Sequence, residues 1–169
     1  MPEKPPDHSG FNTIFRQTGA YGKTALILGT WFGSGLLPFA SGTFGTVAAV
    51  PVVALSSIFS PLISAVFLLF MILIAIWASQ VVHRLLSKVD PSEVVIDEVA
   101  GFLLTMLWIP LSLKTLVAGF LLFRIFDIWK PWPARSAEKL EGGFGIALDD
   151  LVAGLYANLL LRLALFLGF

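Results

Sequence analysis

The chain contains no cysteine. That removes disulfides, thiolate metal sites and every phosphatase or protease that works through a Cys nucleophile. Histidine is almost missing too: only His8 and His83 occur. Two isolated imidazoles argue against a His-nucleophile phosphatase, and no serine has the partners of a Ser-His-Asp hydrolase. Charge is scarce. Only 13% of the 169 residues are Asp, Glu, Lys or Arg, against 57% hydrophobic, where soluble domains average roughly 25% charged. So few charged side chains cannot coat a globule of this size, which places most of the chain in lipid. Eleven acids and eleven bases cancel, so the total charge gives no sign of nucleic-acid binding.

What charge there is falls unevenly. From Thr24 to Val82 there is no Asp, Glu, Lys or Arg. Five apolar stretches read as spans: about Phe44 to Phe59, Leu62 to Val82, Val99 to Leu113, Thr115 to Trp129 and Leu151 to Phe169. Several are short, since fifteen helical residues cover roughly 22 Å of a hydrocarbon core of about 30 Å. The expected fold is all-α, a polytopic integral membrane bundle of about five spans. The polar segment 1–24 is expected to be a separate tail or surface helix, without the compact apolar core of a secretory signal. Residues 25–169 form the membrane-embedded domain. If Leu62–Val82 ends on the cytoplasmic side, every Lys and Arg except Lys114 and Arg162 lies inside or at the inner rim. This is a strong positive-inside bias. It leaves Arg162 within the last helix, where it can snorkel outward.

Under this topology Asp97 and Glu98 begin a helix, Arg124, Asp127 and Lys130 end one, and Asp149 and Asp150 begin another. All seven then reach one membrane face. The plain alternative is helix caps and headgroup-level charges, but intramembrane acids in such numbers favour a site. Several carboxylates suit a hard divalent cation such as Mg²⁺, with Asp97, Glu98, Asp149 and Asp150 as candidate ligands. Arg124 and Lys130 suit phosphate oxygens. Asp127, three residues from Arg124, is either a further ligand or the group that orients the guanidinium. Asp97-Glu98-Val99-Ala100-Gly101 is echoed by Asp150-Leu151-Val152-Ala153-Gly154. Each Asp shares a helix face with a Gly four residues on, which invites close packing just beneath the acids.

The stretch Gly33 to Thr46 is uncharged but rich in glycine and hydroxyls. It suits a re-entrant loop whose free backbone N–H groups bind an anion, with Ser34 and Thr43 as candidate phosphate contacts; a flexible helix connection is the plainer alternative. It has no Walker lysine.

Four blocks carry a resemblance. They are Gly33-Ser34-Gly35-Leu36 through Pro38 to Gly42-Thr43-Phe44-Gly45; Asp97-Glu98-Val99-Ala100-Gly101; Phe123-Arg124-Ile125-Phe126-Asp127-Ile128-Trp129-Lys130-Pro131-Trp132-Pro133; and Gly142-Gly143-Phe144-Gly145-Ile146 with Asp149-Asp150 and Ala153-Gly154. From about Ala25 onward the chain resembles the phosphatidylglycerophosphatase A family of bacterial membrane enzymes; Ala134 departs from the larger aliphatic residue common there. The resemblance implies a Mg²⁺-dependent phosphatase that converts phosphatidylglycerophosphate in the bilayer to phosphatidylglycerol and phosphate. It would be multi-pass in the bacterial inner membrane, its site facing the cytoplasm. In-line attack by water and a phospho-aspartyl intermediate on Asp97, Asp149 or Asp150 both stay open. Two rivals remain: a cation transporter or channel with an acidic site, and a phosphatase for another lipid.

Overall fold

The computed structural model describes residues 9–88, 91–133, 135 and 142–169. Lys4, His8, Ala134 and Lys139, all used in the reading above, lie outside them. The described residues are helical, with no strand. In chain order they form α1 (Ser9–Gln17), α2 (Ala20–Gly29), a single 3₁₀ turn (Ser34–Leu36), α3 (Ser41–Ala48), α4 (Val50–Ser57), α5 (Pro61–Leu86), α6 (Ile96–Thr105), α7 (Leu113–Trp129) and α8 (Gly143–Phe166).

Among the described residues, only α5 and α8 are long and apolar enough to cross a membrane unaided. The fold is therefore all-α and consistent with a membrane helical bundle; the expected span Thr115 to Trp129 is one helix, α7, too short to meet that length, and the other two are not single helices. The stretch expected from Phe44 to Phe59 is two helices, α3 and α4, meeting at Ala49, with Pro51 in the first turn of α4. Proline is tolerated there because a first-turn N–H has no intrahelical partner to lose. The stretch expected to run from Val99 to Leu113 is helical only to Thr105. Trp108 then adopts positive φ and Pro110 follows, both hostile to a continuing helix.

Sequence signals set the ends of the longer helices. Pro61 opens α5, and Ser87 closes it in the left-handed region with His83 and Arg84 in the last turn, where positive charge meets the negative end of the helix dipole. Ser112 and Thr115 form a reciprocal capping box at the start of α7, which satisfies two orphan groups at once. Lys130 ends α7 with φ 47°, and Pro131 bars continuation.

Two buried clusters hold the bundle. Phe102, Leu103, Phe123, Leu161, Met71 and Val53 join α4 to α8. Phe11, Leu26, Ala75, Ala78, Val82 and Ile96 join α1 and α2 to α5 and α6. In the segment expected to be a polar tail or surface helix, residues 9–17 are helical and Phe11 is buried.

Candidate active site on the α6–α8 seam

α6 and α8 pack in parallel along one seam. A Cβ on Gly154 would strike the carbonyl of Gly101, and one on Gly101 would lie 2.7 Å from the carbonyl oxygen of Asp150 and 2.7 Å from the Phe123 ring. Only glycine allows backbones this close. The two Asp-x-x-x-Gly segments are thus laid side by side in register. Gly101 meets Gly154, and one turn earlier Asp97 and Glu98 meet Asp150.

These three acids each offer a carboxylate oxygen, and the three oxygens lie within 4.8 Å of one another. Asp97 is 7% exposed and Asp150 4%. Glu98 Oε2 is buried with no hydrogen-bond partner. The remaining acids are paired. Asp127 Oδ2 lies 2.6 Å from Arg124 Nη1, three residues earlier on α7, and Lys130 Nζ donates to Asp149 Oδ2 at 2.7 Å. Arg124 Nη1 also stands 3.9 Å from Glu98 Oε1, while its buried Nε has no partner. Five carboxylates therefore face two cations in a largely dehydrated place, where unbalanced charge is costly. All-oxygen donors, an orphaned carboxylate oxygen and excess negative charge fit a hard divalent cation at Asp97, Glu98 and Asp150.

A cleft of about 320 Å³ opens on these groups. Its walls include Ser41, Ser92, Asp97, Glu98, Asp127, Lys130, Asp149 and Asp150. The first turn of α3 closes one side: a Cβ on Gly42 would meet Glu98 Oε1 and lie 2.9 Å from Arg124 Nη1. That turn has no side-chain cap, so its backbone N–H groups remain available to an anion. On the opposite side Gly142 and Gly143 let the start of α8 lie on α5, where Gly143 N donates to Gln80 Oε1 at 2.9 Å.

Several expectations change in detail. Asp97, Glu98, Arg124, Asp127, Lys130, Asp149 and Asp150 do come together. Asp149, expected beside the other three as a ligand, stands outside the close trio and is held by Lys130. Asp149 and Asp150 do not begin a helix. α8 starts at Gly143 because Gly142 and Gly143, lacking side chains, fit against Gln80 of α5, and this puts both acids in the second turn, beyond most of the dipole's benefit. Ser34 does not line the cleft, and its hydroxyl donates to the Trp31 carbonyl at 3.0 Å. Thr43 lies in the first turn of α3 but is not a wall of the cleft. Arg162 does not snorkel free: its Nη2 donates to the Leu107 carbonyl at 2.8 Å. Ser41 and Ser92 line the cleft without having been singled out. No local signal sets Ser41 apart, since Ser34 also precedes a glycine at the start of a helical turn.

The family model described as "Phosphatidylglycerophosphatase A" matches residues 27–165, a stretch that contains every group of the cleft. The chain belongs to the phosphatidylglycerophosphatase A family. Phosphatidylglycerophosphatase A of Haemophilus influenzae is 39% identical over 134 residues, covering 78% of this chain and 82% of the relative. Phosphatidylglycerophosphatase A of Escherichia coli (strain K12) is 35% identical over 130 residues, 76% of each. A protein of Bacteroides thetaiotaomicron named "Putative phosphatidylinositol-3-phosphatase" is 37% identical over 147 residues, 82% of this chain and 92% of the relative. No solved structure matches. Membership in phosphatidylglycerophosphatase A makes this a bacterial membrane protein of a phospholipid phosphatase family.

Proposed function

We propose that the protein hydrolyses the terminal phosphate monoester of phosphatidylglycerophosphate, releasing phosphatidylglycerol and phosphate, with Mg²⁺ as cofactor. The observation that carries this reading is the close trio Asp97, Glu98 and Asp150, with Lys130 on the same cleft and Arg124 beside Glu98 just behind its wall, in a chain of this family. The cleft faces the cytoplasm across the inner leaflet, since Arg84, Lys88, Lys130 and Arg135 gather at that end. The chain crosses five times, by α3 with α4, then α5, α6 with the segment that follows it, α7 and α8. The domain that does so is 25–169, preceded by the segment 1–24.

In this reading Asp97, Glu98 and Asp150 hold the cation, which when bound offsets their charge and polarises the phosphoryl group. Arg124, fixed by Asp127 behind Glu98, lends its positive charge to the phosphoryl group from just behind the cleft wall. The N–H groups of the first turn of α3 and the Ser41 hydroxyl take other oxygens. Lys130 holds the Asp149 carboxylate in place, and Asp149 accepts the proton of the attacking water. The water oxygen bonds to phosphorus as the bond to the glycerol oxygen breaks, and the leaving oxygen takes a proton from the water-filled mouth of the cleft. The bilayer retains the lipid product while phosphate leaves into water.

A second substrate is favoured by one observation, the Bacteroides relative with 37% identity over 92% of its length. The deciding experiment measures phosphate release by purified protein in detergent, from phosphatidylglycerophosphate and from phosphatidylinositol 3-phosphate, with and without Mg²⁺. Mg²⁺-dependent release from the first substrate is expected. Turnover of the second alone moves the assignment to an inositol lipid, and no turnover of either removes it.

A further inference from the structure

We infer that Asn158 and Arg162 are positioning residues for the carboxylate trio. They lock the far end of α6 to α8 and so fix the distance of Asp97 and Glu98 from Asp150. The inference rests on reading that trio as a divalent-cation site.

α6 is only ten residues long, about 15 Å. A helix that ends so early leaves carbonyls without partners, and in a membrane these must be satisfied by protein. Asn158 does this. Its side-chain amide donates its two hydrogens to the carbonyls of Thr105 at 2.8 Å and Leu107 at 3.0 Å, with the Leu104 carbonyl, which already accepts from Leu107 N, at 3.2 Å. Arg162, one turn further along α8, donates through Nη2 to Leu107 at 2.8 Å and through Nε to Asn158 Oδ1 at 2.7 Å. The amide is thereby oriented with its donors toward α6, and the guanidinium charge stands at the negative end of the α6 dipole. Asn158 is 6% exposed.

The clamp acts on the same two helices that carry the trio, and in the same register. Asn158 reaches Thr105 across 53 residues, the offset that also pairs Gly101 with Gly154 and Asp97 with Asp150. The seam thus has a clamp at one end, carboxylates at the other and a glycine contact between them. α6 is a short rod lying on that contact, and a C-terminal end released from α8 shifts the N-terminal carboxylates. Mg²⁺ feels such a shift most, because it demands near-octahedral oxygens at about 2.0–2.1 Å, whereas Ca²⁺ accepts roughly 2.3–2.6 Å and irregular geometry.

The test uses the full chain in detergent and follows thermal unfolding by tryptophan fluorescence against increasing Mg²⁺ or Ca²⁺, since a cation that binds the folded state raises the midpoint. Asn158→Ala, acting through the register of α6 on α8, is expected to raise the Mg²⁺ concentration needed up to about 10-fold, no more than the loss of a group bonded directly to a ligand, and the Ca²⁺ concentration less than ~3-fold. Arg162→Lys, which keeps the charge, shifts Mg²⁺ in the same direction by a smaller factor; with Asn158→Ser it carries the test if Asn158→Ala does not fold. Equal shifts for both cations, or none, overturn the positioning role. Asp97→Asn is expected to unfold at a midpoint that Mg²⁺ does not move; a wild-type protein that behaves the same way overturns the reading of the trio itself.

Discussion

The α6–α8 seam carries polar groups at both ends, and the two ends treat them oppositely. At the amide end Asn158 and Arg162 find carbonyls for their donors, and the charge lies against a helix terminus of opposite sign. At the acid end five carboxylates meet two cations, and Glu98 Oε2 and Arg124 Nε are left without partners. A membrane bundle satisfies buried polar groups where it needs only a fixed shape. Where it leaves them open, a ligand is the natural complement.

The sharpest way to break this contrast is at the acid end. Asp97→Asn and Asp149→Asn are each expected to lower phosphate release more than ~10²-fold, the first by loss of a cation ligand and the second by loss of the carboxylate that serves the attacking water. Unchanged helical circular dichroism would show that the fold survives. Rates near wild type in both would dissolve the site. A middle-sized effect is expected between the two ends. Gly154→Ala forces a methyl group against the Gly101 carbonyl, and overpacking of this kind costs about 1–3 kcal/mol. A lowered unfolding temperature checks it, and an unaltered one would mean that the seam is looser than drawn. The smallest effect belongs to Ser34→Ala. Its hydroxyl is turned toward Trp31 and is not a wall of the cleft, so phosphate release should stay within about 2-fold of wild type, because the hydrogen bond lost serves the loop and no reacting group. A large loss there would bring the glycine-rich stretch back into the site.

Much of this could be read from the residues. The acids, Arg124 and Lys130 stand out because charge is so rare around them, and the matched Asp-x-x-x-Gly segments predict the packing that joins α6 to α8. Helix ends were harder. Leu107 and Ile109 look as apolar as any span; Pro110 says that a helix cannot run through, but not that it stops as early as Thr105, where Asn158, 53 residues away, takes the free carbonyl. Gly142 and Gly143 give no sign of a helix start in their own sequence; tertiary packing on Gln80 makes them the start of α8. Periodicity also gives no basis for choosing Ser41 over Ser34, because both lie in the same uncharged run and only the course of the loop separates them.

The Gly101–Gly154 crossing has one more consequence. A contact built from peptide planes has no side-chain torsions to rearrange, so warming, a change of detergent or a change of lipid has little to soften there. Neighbouring methyls and rings can hop between staggered positions while the gap between the two backbones stays as it was.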